Sequence, residues 1–162
     1  MFNFLKKKSS PKDELHALAT GKLIPLEQVA DDVFSQKMMG DGFAVQPDTG
    51  EIVAPITGKI ESIFPTKHAL TISTSTGLEL MLHLGLDTVE LNGAPFSLNV
   101  SEGQMVTAGE PLVKMDLAAV TAAGKETTVI VVITNMDVVA ELTTVETRSV
   151  TAGEVVQEIS LK

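Results

Sequence analysis

Leucine stands at every second position from Leu78 to Leu84, with Glu79, Met81 and His83 between. Successive side chains of a strand point to opposite faces, so this spacing defines a strand with one buried, leucine-lined side. Much of the chain has the same character. Lys59-Ile60-Glu61-Ser62-Ile63-Phe64 alternates with period two and should end at Pro65, which cannot donate to a ladder. Thr127 to Thr134 is a continuous β-branched run, the pattern of a strand buried on both faces. Helical spacing is confined to Pro25–Val29 and to Leu117–Ala123, the latter behind Asp116 as an N-cap. The expected fold is all-β, an antiparallel β-sandwich or barrel with short helical turns.

A chain of 162 residues, 44% of them hydrophobic, suits one domain with a real core. Residues 1–14 are expected to form a flexible polar or amphipathic tail and residues 15–162 a single domain. The formal net charge is −9, which repels phosphate backbones and argues against a nucleic-acid partner. The same charge favours encounter with a basic protein surface. With no cysteine, disulfides, thiolate metal sites and thiol catalysis are excluded. That absence is compatible with a reducing compartment, and the cytoplasm is the expected location. No apolar run reaches the ~18 residues of a membrane span. The start, Met1-Phe2-Asn3-Phe4-Leu5 followed by Lys6-Lys7-Lys8, puts its charge after the apolar residues and so is not a secretory signal. Its alternatives are a solvated tail and a foot, residues 1–8, making weak contact with anionic lipid.

Two internal echoes stand out. Ala19-Thr20-Gly21-Lys22-Leu23 is similar to Ala54-Pro55-Ile56-Thr57-Gly58-Lys59-Ile60, and Val-Thr-Ala-Gly-Glu occurs at Val106–Glu110 and at Val150–Glu154. The second echo reads as a hairpin used twice, with glycine supplying a positive φ.

The chemistry concentrates between Thr66 and Gly93. Residues 69–73 and 78–84 read as two strands around the four-residue loop 74–77. If Ser73 faces Leu78, His68 lies opposite His83, Leu70 opposite Met81 and Ile72 opposite Glu79. The leucines then meet the core and the histidines point the other way, close enough for two imidazoles to touch. A neutral imidazole is a good nucleophile near pH 7. A second ring can donate to phosphoryl oxygens, a charge-assisted bond of roughly 1.5–3 kcal/mol. Thr66 can orient His68 through its hydroxyl, and Glu79, Leu70, Ile72 and Met81 would share the histidine face. His16 reads as a structural residue.

The segment from Gly77 to Val89, Gly-Leu-Glu-Leu-Met-Leu-His-Leu-Gly-Leu-Asp-Thr-Val, closely resembles the phosphohistidine motif of the glucose-type enzyme IIA family. These are components of the bacterial phosphoenolpyruvate-dependent sugar phosphotransferase system. Further similarity lies at Val33-Phe34 through Gly40-Asp41-Gly42, at Val53-Ala54-Pro55 with Gly58, and at Phe64-Pro65-Thr66-Lys67-His68. It continues at Glu102-Gly103 with Val106 and Gly109, and at Thr134-Asn135-Met136, so that it runs from about residue 18 to 160. The resemblance implies a β-sandwich with both histidines in a shallow apolar depression. It implies that His83 accepts the phosphoryl group from the histidine-containing phosphocarrier protein. His68, bonded to Thr66, would serve onward transfer to the enzyme IIB domain of a sugar permease. Asp31 and Asp87 would meet arginines of the partners, and Phe34, Met38, Met39, Phe64, Met81 and Val89 would form an apolar docking ring. Only the resemblance says which histidine is modified. The unphosphorylated depression would also suit regulated transporters or metabolic enzymes.

This chain departs from the family pattern at Met81 and Leu84, where phenylalanine is common, and lacks the usual proline near Leu18-Ala19-Thr20. It begins at its own Met1 and reads as a free-standing carrier. No cofactor and no intrinsic metal are expected, because two convergent imidazoles with Glu79 fall short of a four-ligand structural zinc site. A partner's carboxylate could complete a zinc site with His68 and His83, as the resemblance allows. Lys114-Met115 resembles the lysine-methionine pair of swinging-arm carriers, but no methionine precedes the lysine, and Lys114 reads as an exposed strand residue. The sugar is not legible, since the permease selects it.

Overall fold

The computed structural model describes residues 12–162. In chain order the strands are β1 (Lys12–His16), β2 (Gly21–Ile24), β3 (Asp41–Pro47), β4 (Glu51–Val53), β5 (Gly58–Ile63), β6 (Ala69–Ser73) and β7 (Glu79–Leu86). They continue as β8 (Phe96–Leu98), β9 (Met105–Val106), β10 (Pro111–Met115), β11 (Glu126–Ile133), β12 (Val139–Leu142), β13 (Arg148–Val150) and β14 (Val155–Leu161). Two short helices, α1 (Asp32–Ser35) and α2 (Leu117–Ala122), and three 3₁₀ turns complete the described residues. An eight-stranded sheet runs in the order β9-β5-β6-β7-β11-β3-β2-β13, beside two three-stranded sheets, β4-β10-β8 and β12-β14-β1. Every pairing is antiparallel and none closes a barrel, so the expected β-rich sandwich architecture holds.

The alternation read from the sequence decides what is inside. Leu80, Leu82 and Leu84 of β7 join Val129, Val131 and Ile133 of β11, together with Phe43, Leu70 and Ile72, in the main core. The outward residues of the same central strands, Met81, Ile130 and Val132, form a smaller cluster with Leu26, Val29 and Phe34. The 3₁₀ turn Leu26–Gln28 and α1 thus lie over the outer face of the sheet. The expected helix 25–29 is this 3₁₀ turn, and the expected helix after Asp116 is α2, whose Ala119 N donates to Asp116 Oδ1 at 3.0 Å.

Registers repeat between the two halves of the chain. Val155 pairs with His16, Gln157 with Leu15 and Glu158 with Glu14. Pro111 likewise pairs with Val53, Val113 with Ile52 and Lys114 with Glu51, with the register slip at the matching step. Lys22 faces Ser149 as Lys59 faces Met105. In the centre of the large sheet, His83 faces Ile130 where Met81 faces Val132. The fold is therefore two related halves about an approximate twofold axis through the β7–β11 ladder.

The two sequence echoes are where this symmetry surfaces. Gly109 N donates to Ala54 O at 2.8 Å and Gly153 N to Ala17 O at 2.9 Å. Ala108 N and Ala152 N donate to Thr57 Oγ1 and Thr20 Oγ1, each at 3.0 Å. The repeated Val-Thr-Ala-Gly-Glu is not the expected hairpin. β9 pairs with β5 while β10 pairs with β4 and β8, so each copy is a corner that carries the chain from the large sheet to a small one. Gly109 and Gly153 sit at φ 90° and 91°, which a type II corner needs at its third position.

The tail boundary expected at residue 14 moves back, because Lys12, Asp13 and Glu14 pair with Ser160, Ile159 and Glu158 of β14. The amphipathic reading of residues 1–8 lies outside the described residues. Among the described residues, no helix is long and apolar enough to cross a membrane.

Candidate functional site

The β6–β7 register differs by one residue from the expected one. Ala69 faces His83, Leu70 faces Leu82, Thr71 faces Met81 and Ile72 faces Leu80. The cause is the loop: Thr74 N bonds to Leu78 O at 3.0 Å, leaving three residues, Ser75 to Gly77, with Gly77 at φ 99°. A three-residue hairpin loop ending in a left-handed glycine is the common alternative to a four-residue one. Leu70 and Ile72 consequently belong to the core and do not surround the histidines. Glu79 shares the outward face but sits about 13 Å along the strand from His83. It lines a separate depression with Glu61 and Ser73. No cluster of three or more potential metal ligands occurs among the described residues.

The two rings nevertheless meet, with centroids 5.1 Å apart and planes at 84°. His68 precedes the first paired residue of β6 and takes its direction from a turn. Lys67 N donates to Phe64 O at 2.7 Å, Lys67 is left-handed at φ 60°, and Phe64 N donates to Ala69 O at 3.0 Å. The carbonyl of His68 still accepts from Leu84 N at 2.7 Å, but its ring takes its direction from this turn. The small side chain of Ala69, directly opposite His83, leaves the room into which the rings converge.

Each ring is held by its Nδ1. His83 Nδ1 lies 2.8 Å from Gly85 O. A carbonyl only accepts, so Nδ1 carries the proton and neutral His83 presents a bare Nε2. Gly85 can aim its carbonyl back two residues because it sits at φ 84°. On the neighbouring strand Thr127 and Thr128 together span the single step between Leu84 and Leu86, a β-bulge. Thr66 Oγ1 lies 2.5 Å from His68 Nδ1, which places the expected orienting hydroxyl in contact.

The rings share an apolar depression of about 330 Å³ lined by Asp31, Val33, Phe34, Met39, Phe64, His68, Ala69, Met81 and His83. Phe34 stacks at a tilt on His83 with centroids 5.0 Å apart, and Phe64 stands edge-on to His68 at 5.5 Å. Val33, Met39 and Phe64 are each about two-fifths exposed, whereas Phe34 and Met81 are largely buried. Of the expected docking residues, Met38 and Val89 are exposed but are not part of the lining. Val33 and Ala69 belong to the lining without having been singled out from the sequence, and Gly85 was not read as the acceptor. A glycine inside a strand pattern, two residues after a histidine, is the signal that could have found it.

Electrostatics favour neutral rings. Burial pushes the His83 imidazolium below the ordinary histidine range, partly opposed by the Gly85 carbonyl and the charges of Asp31 and Asp87. Burial also lowers His68, and the neighbouring His83 lowers it further. Asp31 has a second task as N-cap of α1, accepting from Val33 N at 2.9 Å. Asp87 opens the 3₁₀ turn Thr88–Leu91 in a left-handed conformation. His16 is tied by Nδ1 to Gly153 O at 2.8 Å, in keeping with a structural residue. Lys114 is an exposed residue inside β10, not at a tight turn, which leaves no swinging-arm geometry.

Known proteins are similar to this chain in sequence and fold. The family model described as "phosphoenolpyruvate-dependent sugar phosphotransferase system, EIIA 1" matches residues 13–139. The glucose-specific EIICBA component of Streptococcus pneumoniae is 51% identical over 149 residues, covering 92% of this chain but only 20% of that larger protein. The glucose-specific EIIA component of Staphylococcus aureus is 41% identical over 152 residues, 93% of this chain and 92% of that one. The solved structure of glucose permease IIA from Mycoplasma capricolum superimposes with a TM-score of 0.86 at 38% identity, covering 98% of this chain and 99% of that one. On the family model, the shared fold and the matched relatives together, the chain belongs to the EIIA 1 family of the phosphoenolpyruvate-dependent sugar phosphotransferase system.

Proposed function

We propose that this chain accepts a phosphoryl group on Nε2 of His83 from the histidine-containing phosphocarrier protein and passes it to the enzyme IIB domain of a glucose-type permease in the cytoplasm. The observation that carries this reading is the Gly85 carbonyl on His83 Nδ1, which leaves Nε2 unprotonated beside a second imidazole. The Nε2 lone pair attacks phosphorus as the N–P bond to the donor's imidazole breaks, and the electron pair of that bond returns to the donor nitrogen. Charge spreads over the three phosphoryl oxygens, so positioning and electrostatics do most of the work. With the Thr66 hydroxyl donating to Nδ1, His68 carries its proton on Nε2 and can donate to a phosphoryl oxygen. Onward transfer reverses the roles: the His83 N–P bond breaks and an acceptor group on the IIB domain takes the phosphoryl.

The apolar walls exclude water that would otherwise hydrolyse the N–P bond. Asp31 and Asp87 offer negative charge at the edge of an otherwise apolar surface, which fits basic side chains on both partners. Zinc would find two imidazoles here and would need further ligands from a partner. A second reading rests on the exposed Val33, Met39 and Phe64: the unphosphorylated face docks regulated transporters or metabolic enzymes. Phosphorylation would oppose such docking by adding about −1.5 to −2 charge to an apolar surface.

Incubation with phosphoenolpyruvate and the two general phosphotransferase proteins tests the carrier reading. The chain should take up acid-labile label, His83→Ala should take up none, and His68→Ala should hold label without passing it on. Normal labelling of the His83 variant would refute the assignment.

A further inference from the structure

Thr88 is fully buried, and no step described above uses it. Its Oγ1 donates to Leu84 O at 2.6 Å, which fixes the plane of the Leu84–Gly85 peptide. Its methyl lies against the next atom of the chain, since a Cβ built on Gly85 would fall 2.5 Å from Thr88 Cγ2. The two groups hold the peptide before Gly85 and the space beside its Cα, and so the φ angle from which its carbonyl is aimed. Opposite Gly85 the bulge at Thr127 and Thr128 interrupts the β7–β11 pairing, while on the other side Leu84 N still donates to His68 O at 2.7 Å. The Gly85 carbonyl is the acceptor that keeps the His83 proton on Nδ1. A histidine side chain in water prefers the other tautomer, with Nε2 protonated and no lone pair on that nitrogen for attack.

We propose that Thr88, through its hydroxyl, is a positioning residue that sets the His83 tautomer by way of Gly85. The proposal rests on the reading of His83 as phosphoryl acceptor, but its primary readout does not. In the ¹⁵N-labelled full chain, held above the titration of its histidines, ring-nitrogen shifts report where the proton sits on His83. The wild type should show Nδ1–H. Thr88→Val keeps the bulk and removes the hydroxyl, and it should move the tautomer ratio toward Nε2–H by about fivefold, the worth of one neutral hydrogen bond. Thr88→Ser keeps the hydroxyl and should restore the wild-type ratio. Phosphorylation rates should follow the fraction of His83 in the Nδ1–H form, lowered in Thr88→Val by no more than about fivefold and preserved in Thr88→Ser. If Thr88→Val does not fold, Thr88→Ala, which also lacks the hydroxyl, should show the same shift.

A wild-type tautomer in the folded hydroxyl-lacking variant overturns the proposal, as does an equal shift in Thr88→Ser. If the wild-type chain holds Nδ1–H but takes no label from the phosphocarrier protein, the carrier reading fails while the tautomer comparison still decides the role of Thr88.

Discussion

Replacing Gly85 by alanine should damage the site and the fold together, and the structure separates the two contributions. An alanine at φ 84° bears a left-handed backbone penalty of about 1–2 kcal/mol. Its Cβ would also lie 2.5 Å from Thr88 Cγ2 and 3.0 Å from Glu126 O, with Met115 Cε at 3.3 Å. The methionine tip can move, but the buried threonine and the backbone carbonyl cannot move freely. Overpacking of this kind costs about 1–3 kcal/mol, so the total is roughly 2–5 kcal/mol. Gly77 supplies the control. Its φ is 99°, yet nothing lies within 4 Å of a Cβ built there, so Gly77→Ala should bear the backbone penalty alone. With a urea m-value of about 2 kcal/mol/M, the midpoint should fall by roughly 1–2.5 M for Gly85→Ala and 0.5–1 M for Gly77→Ala. At a temperature where both variants remain folded, Gly77→Ala should label at the wild-type rate and Gly85→Ala more slowly. Equal midpoint shifts would refute the claim that Gly85 is held by packing as well as by its backbone angle.

Other outcomes follow from the same geometry. Burial lowers both histidines below 6.5, so the labelling rate should stay level from pH 8 down to that value and fall only in more acidic buffer. The matching stability effect has a definite sign. A depressed folded-state value means that the unfolded chain takes up protons first as pH falls below 6.5, and stability should be lost toward the lower folded-state values, read by denaturant midpoints on His68→Gln against wild type. Asp31→Asn keeps a good cap on α1 but removes the charge, so it should slow transfer from the phosphocarrier protein at low salt with little loss of stability; Asp31→Ala should in addition cost about 1 kcal/mol. Val33→Glu, at an exposed lining position, should slow transfer in stopped-flow assays while leaving the thermal midpoint within about 2 °C of wild type.

The fold class was legible because alternation is a strong signal. Four leucines at period two fix which face of β7 is inside, and the β-branched run at 127–134 marks its buried neighbour. Register was not legible, since Thr74 to Gly77 is compatible with a loop of four residues or of three, and only the backbone bond from Thr74 to Leu78 decides. The meeting of His68 and His83 held although the expected register did not, because a turn and not a strand aims His68. The helix α1 has four residues, too few to show a period, although Asp31 two residues before Val33 was its cap. The twofold relation of the halves showed in sequence only at the two echoes, Ala19–Leu23 with Ala54–Ile60 and the Val-Thr-Ala-Gly-Glu corners that bond to them. There specific hydrogen bonds demand particular residues, whereas paired strands demand only alternation.

The phosphorylated, ¹⁵N-histidine-labelled chain offers the most direct test, through the one-bond coupling between ³¹P and the nitrogen that bears it. A single coupling to Nε2 of His83, with Nδ1 still protonated toward Gly85, is the predicted result. Coupling to Nδ1 of His83, or to either nitrogen of His68, would contradict it.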